Sequence, residues 1–395
     1  MENAVIVSGA RTPMGRFGGS FKDVAAPDLG ATAIKAALER ANISPDMVEE
    51  VVMGNALQAA EAGYAARLSS LNAGIPEETP TIAVNRQCSS GLEAINMAAM
   101  LVRSGEVDIA VAGGTENMSQ APFMLEYHVR FDGLRMGDGN LRDGLIEGLG
   151  CPVNRYHMGV TAENVAERFG VSREDQDELA LISHQRAVSA IEDGRFDGQI
   201  TPVSVPQRRG DPVVVSADEG PRADTSLERL STLRPVFKRD GTVTAGNASS
   251  INDGAAAVVL MSERKAAELG LTPKLRWRTR GVAGVEPAVM GIGPVPAVQK
   301  ALGKAGMEVE DIDLIELNEA FAAQALYCMR ELDFDLDKTN VNGSGISLGH
   351  PVGATGAVMT VKLLEEIELR DQNLGLVTMC VGGGQGVATI FERVG

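Results

Sequence analysis

Residues 81–91 read T-I-A-V-N-R-Q-C-S-S-G and place a single thiol between a strand pattern and a helix pattern. The first four residues alternate as in a short strand that enters the interior of a protein. From Leu92 onward, apolar residues recur at helical spacing. Ser89 or Ser90 is therefore the expected N-cap of that helix.

The thiol in this stretch, Cys88, lies at the mouth of the expected helix. Free N–H groups and partial positive charge at a helix N-terminus stabilise a thiolate over a thiol. Cys88 is accordingly a candidate nucleophile. The alternative is a buried cysteine that behaves as a small apolar side chain.

Strand and helix patterns alternate on both sides of this stretch, which is typical of a layered α/β core. The expected strands are 4–9, 48–53, 81–84, 107–112, 255–261, 275–281, 313–316, 374–380 and 387–392. The expected helices are 27–41, 60–74, one from 89 to about 104, 263–269, 294–303, 319–330 and one that ends at 366.

Residues 119–250 interrupt the alternation with charges, glycines and turns, apart from two helix patterns at 160–169 and 174–193. We interpret this segment as an inserted loop domain. The expected N-terminal half is then 1–118, completed by 251–270, and the C-terminal half is 271–395. The two halves share an organisation, because Cys88 and His350 each stand at a helix start and a glycine cluster follows the next strand in each half. Such halves, packed together, would bring both side chains into one crevice.

The composition excludes several classes of protein. The chain has 395 residues, 44% of them hydrophobic, and a net charge of −17, which disfavours nucleic acid and anionic membranes as partners. No signal peptide and no apolar run long enough to span a membrane is visible. The four cysteines are far apart in sequence, so we expect free thiols in a reducing compartment, the cytoplasm.

Three further residues could carry chemistry. His350, in G-H-P-V-G, is expected to be neutral at a helix mouth and able to accept a thiol proton, or else to be a simple capping side chain. Cys380 precedes G-G-G, whose N–H groups could form an oxyanion hole. It is either a base beside that hole or a buried strand-end cysteine. Asn318 is either an N-cap or an amide that positions a water or a carbonyl.

Other residues receive plainer interpretations. His184 is expected on a helix surface, and Cys328 in the core. Residues 207–239 are relatively rich in Lys and Arg, so they form either a solvated loop or a landing site for a phosphate-bearing ligand. No metal-ligand spacing appears, and the G-x-G pattern at 343–345 fits neither a P-loop nor a dinucleotide fingerprint.

Four blocks of sequence, in this order, resemble the active-site blocks of the thiolases. They are N-R-Q-C-S-S-G-L with Cys88, N-E-A-F with Asn318, G-H-P-V-G-A-T-G with His350, and C-V-G-G-G-Q-G with Cys380. The likeness runs from V-S-G-A-R-T-P-M-G near residue 8 to the C-terminus. Y-H-M-G at 156–159 and T-V-T-A-G-N-A-S at 242–249 resemble the family's coenzyme A loops.

The resemblance implies a duplicated α-β-α-β-α layered fold with an inserted loop domain, and acyl transfer through a covalent intermediate. In that mechanism His350 takes the proton of Cys88, which is acylated, and Cys380 removes the α-proton of a second thioester. One oxyanion hole would be His350 with a water held by Asn318, and the other the backbone N–H groups of Cys88 and Gly382. The residues that would line the coenzyme A path are His157, Met158, Arg222, Ala245, Ser249, Ala320 and Phe321.

The same likeness implies reversible Claisen condensation of two acetyl-CoA molecules to acetoacetyl-CoA and CoA. The two coenzyme A loops are similar to those of short-chain thiolases. N-R-Q-C-S-S-G-L is similar to the 3-ketoacyl-CoA thiolases of fatty-acid β-oxidation, so a broader chain-length range is the alternative. Acyl-CoA and CoA are the expected partners, and no cofactor is expected because the thioesters are substrates. The family also implies a homotetramer, a dimer of dimers.

Three other classes remain as competitors. A decarboxylating condensing enzyme would use a histidine pair, whereas this chain has Asn318 and Cys380 in the corresponding blocks. A lipid carrier on the same scaffold would lack the nucleophile, whereas Cys88 is present. A nicotinamide dehydrogenase would need a dinucleotide fingerprint, which the sequence lacks.

Overall fold

The secondary structure follows the expected alternation of strands and helices. The computed structural model of the protein describes residues 2–394, and only the backbone of residues 60 and 61. Its strands are β1 (Ala4–Arg11), β2 (Gly15–Arg16), β3 (Glu50–Gly54), β4 (Thr81–Val84), β5 (Ile109–Asn117), β6 (Phe123–Leu125), β7 (Leu141–Asp143), β8 (Gly150–Cys151), β9 (Tyr156–His157), β10 (Val203–Val205), β11 (Val213–Val215), β12 (Asn252–Ser262), β13 (Leu275–Gly284), β14 (Leu314–Leu317), β15 (Leu374–Val381) and β16 (Gln385–Arg393).

The α-helices divide into long ones in the two halves and shorter ones near the site. They are α1 (Ala26–Ala41), α2 (Ala65–Asn72), α3 (Ser90–Ser104), α4 (Val129–Asp132), α5 (Gly144–Gly148), α6 (Met158–Phe169), α7 (Arg173–Glu192), α8 (Leu227–Ser231), α9 (Glu263–Glu268), α10 (Pro294–Ala305), α11 (Ala322–Glu331), α12 (Gly345–Leu348) and α13 (Thr355–Leu369). Short 3₁₀ segments occur at Pro45–Met47, Ala60–Tyr64, Met118–Gln120, Pro287–Ile292 and Val309–Asp311. None of the described helices is long and apolar enough to cross a membrane.

One continuous sheet joins the two halves of the protein. Its order is β14-β15-β16-β13-β1-β12-β5-β3-β4, with β2 paired to β12. The join is the antiparallel pairing of β1 with β13, where Val5 lies opposite Arg276 and Ile6 opposite Leu275. The pairs β3–β4, β3–β5 and β14–β15 are parallel, as expected for strands connected through helices.

The strands of each half form one β layer, and helices lie between these two layers and on their outer faces, which gives five layers in all. Helices α3 and α13 contact each other and strands of both halves, so they form the central layer. Helices α1 and α2 pack on the outer face of the N-terminal half, and α10 on that of the C-terminal half. Three large apolar clusters fill the spaces between these layers. This is the α-β-α-β-α arrangement expected from the sequence.

Two glycines set the close approach of the central helices. A Cβ at Gly91, in the first turn of α3, would lie 2.9 Å from the backbone nitrogen of Ala357. A Cβ at Gly356, in the first turn of α13, would lie 2.5 Å from the backbone nitrogen of Leu92. The two helices therefore meet at their N-terminal turns, which brings the residues just before each helix close together.

The segment between β5 and β12 lies against the C-terminal half. It contains three two-stranded sheets, β6–β7, β8–β9 and β10–β11, and the helices α4 to α8. Helices α6 and α7 contact α11, and α7 also contacts α12. The division of the chain into units at 1–118, 119–250 and 271–395 stays a prediction.

Two expected helices begin later than the sequence pattern suggested. The predicted helix 319–330 is α11, which begins at Ala322, because Phe321 before it is extended with φ −147° and ψ 141°. The predicted helix 60–74 becomes α-helical only at Ala65, after a 3₁₀ turn. The strand predicted at 107–112 is β5, which runs on to Asn117 because it pairs with β12 along its whole length.

Candidate active site

A cavity of about 740 Å³ opens between the helix starts of the two halves and the segment before β12. Cys88 from the start of α3, His350 from the loop before α13, and Gly382 from the turn after β15 all line it. The expectation that Cys88 and His350 share one crevice is therefore confirmed. The lining is mostly apolar, and its polar groups come from these loops and from the cavity mouth.

The loop that carries Cys88 is held by local hydrogen bonds. Gln87 adopts a left-handed conformation with φ 45°. The Ser90 hydroxyl accepts from the Arg86 N–H at 2.9 Å and donates to the Gln87 carbonyl at 2.6 Å. Ser89 is the N-cap residue of α3, but its side chain donates to the Arg86 carbonyl and makes no capping bond. The N-cap predicted at Ser89 or Ser90 is therefore confirmed at Ser89, although both hydroxyls stabilise the preceding turn instead of capping the helix.

The environment of Cys88 favours the thiol rather than the thiolate. Burial raises the pKa of Cys88 to about 11, although the backbone N–H groups of Gly382 and of Cys88 itself hydrogen-bond the sulfur and lower it. The buried carboxyl of Glu116 raises it slightly further. The expected stabilisation of the thiolate by N–H groups is present, but desolvation of the charged form acts against it in the free protein.

His350 is arranged as a neutral base. Its Nδ1 lies 2.6 Å from the Thr355 hydroxyl, which itself donates to the Pro351 carbonyl at 2.9 Å. Because that hydroxyl has one proton, it accepts from Nδ1–H, so the lone pair of His350 is on Nε2. Burial lowers the pKa of His350 to about 4, so the ring is neutral near pH 7. The predicted neutral imidazole is present, and burial accounts for it.

Asn318 places its amide beside that imidazole. The side chain is 0% exposed, and its Nδ2 lies 3.5 Å from His350 Nε2. Its Oδ1 has no hydrogen-bond partner in the described part of the chain. Since α11 begins only at Ala322, Asn318 is not an N-cap. Of the two interpretations from sequence, the amide that positions another group fits the geometry.

Cys380 lies behind the cavity wall, near the end of β15. It is 0% exposed and packs in an apolar cluster with Met158, Ala320 and Phe321, which line the cavity. Burial raises its pKa well above the usual value for a thiol, and the neighbouring Cys88 adds to that effect. The chain then turns sharply through Gly383 and Gly384, which both have positive φ, and this turn presents Gly382 to Cys88.

All seven residues predicted for the coenzyme A path line the same cavity. They are His157, Met158, Arg222, Ala245, Ser249, Ala320 and Phe321. The His157 ring stacks on Phe237 with a centroid distance of 4.7 Å, and its Nδ1 accepts from the Gly159 N–H at 3.0 Å. Burial lowers the pKa of His157, so this ring is a neutral, apolar-faced wall.

His184, Arg16 and Arg222 line the cavity together, and of these three residues only Arg222 was predicted from sequence. His184, predicted on the surface, is 5% exposed and lines the cavity with Arg16 and Arg222. Its Nδ1 accepts from the Arg222 N–H at 3.3 Å. Burial, followed by the charges of Arg222 and Arg16, lowers the pKa of His184 to about 4. The signal was available, because Ala180 and Ala187 lie four residues before and three after it on the buried face of α7.

Two family models match the chain almost end to end. The model of the N-terminal domain of thiolase matches residues 4–264, and that of the C-terminal domain matches residues 271–393. The chain belongs to the thiolase family. The resemblance seen in the four sequence blocks is thereby confirmed, and the thiolase fold accounts for the five layers described above.

Other thiolases resemble the chain over its full length. An acetyl-CoA acetyltransferase of Escherichia coli is 52% identical over 395 residues, which cover 100% of both chains. The crystal structure of a Bacillus anthracis acetyl-CoA acetyltransferase superimposes with a TM-score of 0.97 at 47% identity, covering 100% of this chain and 99% of that one. Human mitochondrial 3-ketoacyl-CoA thiolase superimposes with a TM-score of 0.96 at 43% identity, covering 100% and 99%.

Proposed function

We propose that this thiolase catalyses the reversible condensation of two acetyl-CoA molecules to acetoacetyl-CoA and CoA. The observation that carries the proposal is one cavity that joins a thiol, a neutral imidazole and a backbone N–H donor. These are Cys88, His350 and Gly382, and the seven residues predicted for the coenzyme A path line the same cavity. The chemistry uses groups of the chain itself and draws on no cofactor.

The first step of thiolysis forms the acyl-enzyme. The Nε2 of His350 takes the proton of the Cys88 thiol, and the sulfur attacks the C3 carbonyl of acetoacetyl-CoA. The C2–C3 bond then breaks, which leaves an acetyl group on Cys88 and a carbanion on the departing acetyl-CoA. The lone pair that the Thr355 contact leaves on Nε2 supports this role for His350.

The carbanion then takes a proton from Cys380. A thiol whose pKa burial raises well above the usual value holds that proton until a strong base forms beside it. Free CoA next attacks the acetyl group on Cys88, and the proton of the CoA thiol passes to the Cys380 thiolate. The Cys88 sulfur leaves as the acetyl–sulfur bond breaks, and it takes back the proton that His350 has held since the first step. Condensation follows the same path in reverse, with Cys380 as the base that removes the α-proton.

Hydrogen-bond donors stabilise the negative oxygen in each half of the cycle. The N–H groups of Cys88 and Gly382, which hydrogen-bond the Cys88 sulfur in the free protein, lie where one oxyanion would form. The second oxyanion would accept from His350, once protonated at Nε2, and from a water held by Asn318. The Asn318 oxygen without a partner supports this arrangement, because it can accept from such a water.

The first test is steady-state thiolysis of acetoacetyl-CoA, 3-oxohexanoyl-CoA and 3-oxodecanoyl-CoA. Preference for acetoacetyl-CoA supports the proposal, and it agrees with the names of the bacterial relatives. Preference for the longer chains identifies a broad 3-ketoacyl-CoA thiolase of fatty-acid β-oxidation, as the likeness to the human enzyme would favour. Cys88→Ala should abolish thiolysis, whereas Cys151→Ala, which removes a buried thiol outside the cavity lining, should not. A Cys88→Ala variant that keeps its activity contradicts the mechanism.

We infer also that the protein works in the cytoplasm as a homotetramer, a dimer of dimers. The segment around α4 exposes large apolar side chains that an isolated chain would leave in water. These are Phe123, Leu125, Tyr127, Phe131, Leu134, Met136 and Leu141. A second copy of this segment is the expected cover. Analytical ultracentrifugation should give a tetramer for the native protein and a smaller species for Phe131→Glu, and a monomeric native protein contradicts this inference.

A further inference from the structure

A buried carboxylate outside the proposed mechanism lies beneath the cavity. Glu116, near the end of β5, is 1% exposed and accepts four hydrogen bonds. Its Oε1 accepts from the Asn55 side-chain amide at 2.9 Å and from the Leu57 N–H at 3.2 Å. Its Oε2 accepts from the Ala56 N–H at 3.0 Å and from the Gly353 N–H at 2.8 Å.

These donors come from both halves of the protein. Residues 55–57 follow β3 in the N-terminal half, whereas Gly353 belongs to the loop that carries His350 in the C-terminal half. A Cβ at position 353 would lie 2.6 Å from Glu116 Oε2, so the loop approaches the carboxylate as closely as glycine allows. The carbonyl oxygen of Gly353 also lies close to Gly114 and Gly91. A Cβ added at Gly114 would lie 2.2 Å from this oxygen, and a Cβ added at Gly91 would lie 3.0 Å from it.

The contacts of this loop reach both reacting side chains. Gly91 lies three residues after Cys88, and Gly353 three residues after His350. Val352 packs in an apolar cluster with Ala56, and Cys88 packs against that cluster. A shift of the loop relative to β5 would therefore change the separation of the thiol and the imidazole.

The four partners of Glu116 are all donors, so they match the ionised carboxylate. Burial raises the pKa of Glu116 to about 7, while the N–H groups of Ala56, Gly353 and Leu57 lower it and the carboxylate of Asp253 raises it. Its negative charge also acts on Cys88 and raises the pKa of that thiol. His350, on the same loop as Gly353, is neutral because burial lowers its pKa to about 4.

We propose that Glu116 is a positioning residue for the thiolase reaction. Its ionised carboxylate clamps the His350 loop to the end of β5, and thereby fixes the imidazole relative to Cys88. This role rests on the proposed function for its kinetic consequence, but the clamp and its charge effect on the thiol exist independently of any substrate.

Glu116→Gln tests the clamp with an isosteric, uncharged side chain. Each carboxylate oxygen accepts from two donors, so the amide NH₂ faces two N–H donors whichever way it is turned. We expect kcat for acetoacetyl-CoA thiolysis to fall by about tenfold to a hundredfold, the cost of misplacing reacting groups, with KM within about twofold of the wild type. A loss of fold alone would instead lower the active fraction and leave kcat per folded molecule unchanged.

The charge effect supplies a readout that needs no thiolase activity. In folded protein between about pH 8 and pH 10, iodoacetamide alkylation of Cys88, followed by mass spectrometry, reports thiolate formation. Removing the Glu116 charge lowers the pKa of the Cys88 thiol, so alkylation at fixed pH should be faster than in the wild type. Glu116→Asp keeps the charge but shortens the side chain, so alkylation should stay near the wild-type rate while kcat still falls.

Glu366→Gln is the matched control. Glu366 is a buried carboxylate in the last turn of α13 that accepts from the Asn342 amide at 2.7 Å and from Arg370 Nε at 2.5 Å, far along the helix from His350. It should lose stability without faster alkylation of Cys88. A folded Glu116→Gln variant whose kcat and alkylation rate match the wild type overturns the proposal. If Glu116→Gln does not fold, a Glu116→Asp variant with the wild-type kcat overturns it instead. A wild-type protein that cleaves no 3-oxoacyl-CoA refutes the proposed function instead, and alkylation then decides the role of Glu116.

Discussion

Replacing His350 by alanine tests how the Cys88 thiol loses its proton. Burial raises the pKa of Cys88 to about 11 and lowers that of His350 to about 4. A thiol with a raised pKa is protonated below that value, and an imidazole with a lowered pKa is neutral above its own. Between these two values the free protein therefore holds a neutral thiol beside a neutral base.

The size of the effect follows from these pKa values. A pH of about 8 is about three units below the pKa of the Cys88 thiol, so about one molecule in a thousand carries the thiolate. Forming the thiolate at that pH therefore costs about 4 kcal/mol of free energy. Without His350, acylation must draw on that rare thiolate. We expect the acylation rate of His350→Ala to fall by about a hundredfold to ten-thousandfold, the usual contribution of a general base.

The pH dependence separates this mechanism from simple damage. Acylation is measured in a single turnover with acetyl-CoA, as CoA released per Cys88, between about pH 6 and pH 10. The wild-type rate should be nearly independent of pH across this range, because both groups stay neutral. The His350→Ala rate should rise about tenfold per pH unit, as the thiolate population does.

The control is His128→Ala, which removes an exposed imidazole outside the cavity lining and should keep the wild-type profile. A His350→Ala variant whose slow rate does not change with pH would refute the reasoning. So would a wild-type rate that rises tenfold per unit, because the thiol would then ionise without help from the imidazole.

Three further predictions concern other residues. Asn318→Ala should lower kcat for thiolysis about a hundredfold with little change in KM, because it removes the amide beside His350, and a large KM increase at constant kcat would contradict that role. His184→Phe removes the acceptor of the Arg222 backbone N–H, so it should raise KM for acetoacetyl-CoA more than KM for the acetoacetyl thioester of pantetheine, which lacks the nucleotide. Equal changes in the two KM values would count against a contact between this part of the cavity and the nucleotide end of coenzyme A. Gly281→Ala would place a Cβ 1.9 Å from the Ala297 carbonyl oxygen, so urea unfolding should show a loss of about 1–3 kcal/mol or more of stability. Gly303→Ala in α10 is the control, because its Cβ meets no atom within 4 Å and the substitution should stabilise the fold by about 0.5–1 kcal/mol.

The positions of Cys88 and His350 close to helix starts could be predicted from sequence because their neighbours impose strong local rules. Cys88 and His350 each precede a helix with apolar periodicity, and glycines near both allow the close approach seen between α3 and α13. Local patterns of this kind are visible in a single sequence. The resemblance to the family's blocks then implied roles that spacing alone left open, such as a base function for Cys380, and these roles stay predictions.

Properties that depend on the assembled surroundings were harder to predict. The helix N-terminus favours a thiolate at Cys88, but the burial that reverses this preference exists only once Gly382 and the cavity wall are in place. The polar sequence neighbours of His184 favoured a surface position, and the alanines on its face of α7, which indicate burial, had to be read against them. The link between the halves through β1 and β13 joins residues about 270 positions apart, for which a single sequence carries no signal.

The central position of β1 in the sheet also constrains the order of events during synthesis. Ala4–Arg11 precedes the other described strands along the chain, yet its two ladder partners are β12 and β13, which begin at Asn252 and Leu275. During synthesis β1 therefore stays without these partners until the chain has been extended as far as β12. During that interval an apolar strand is open to wrong pairing, so newly made chains should depend on chaperones until β13 has emerged.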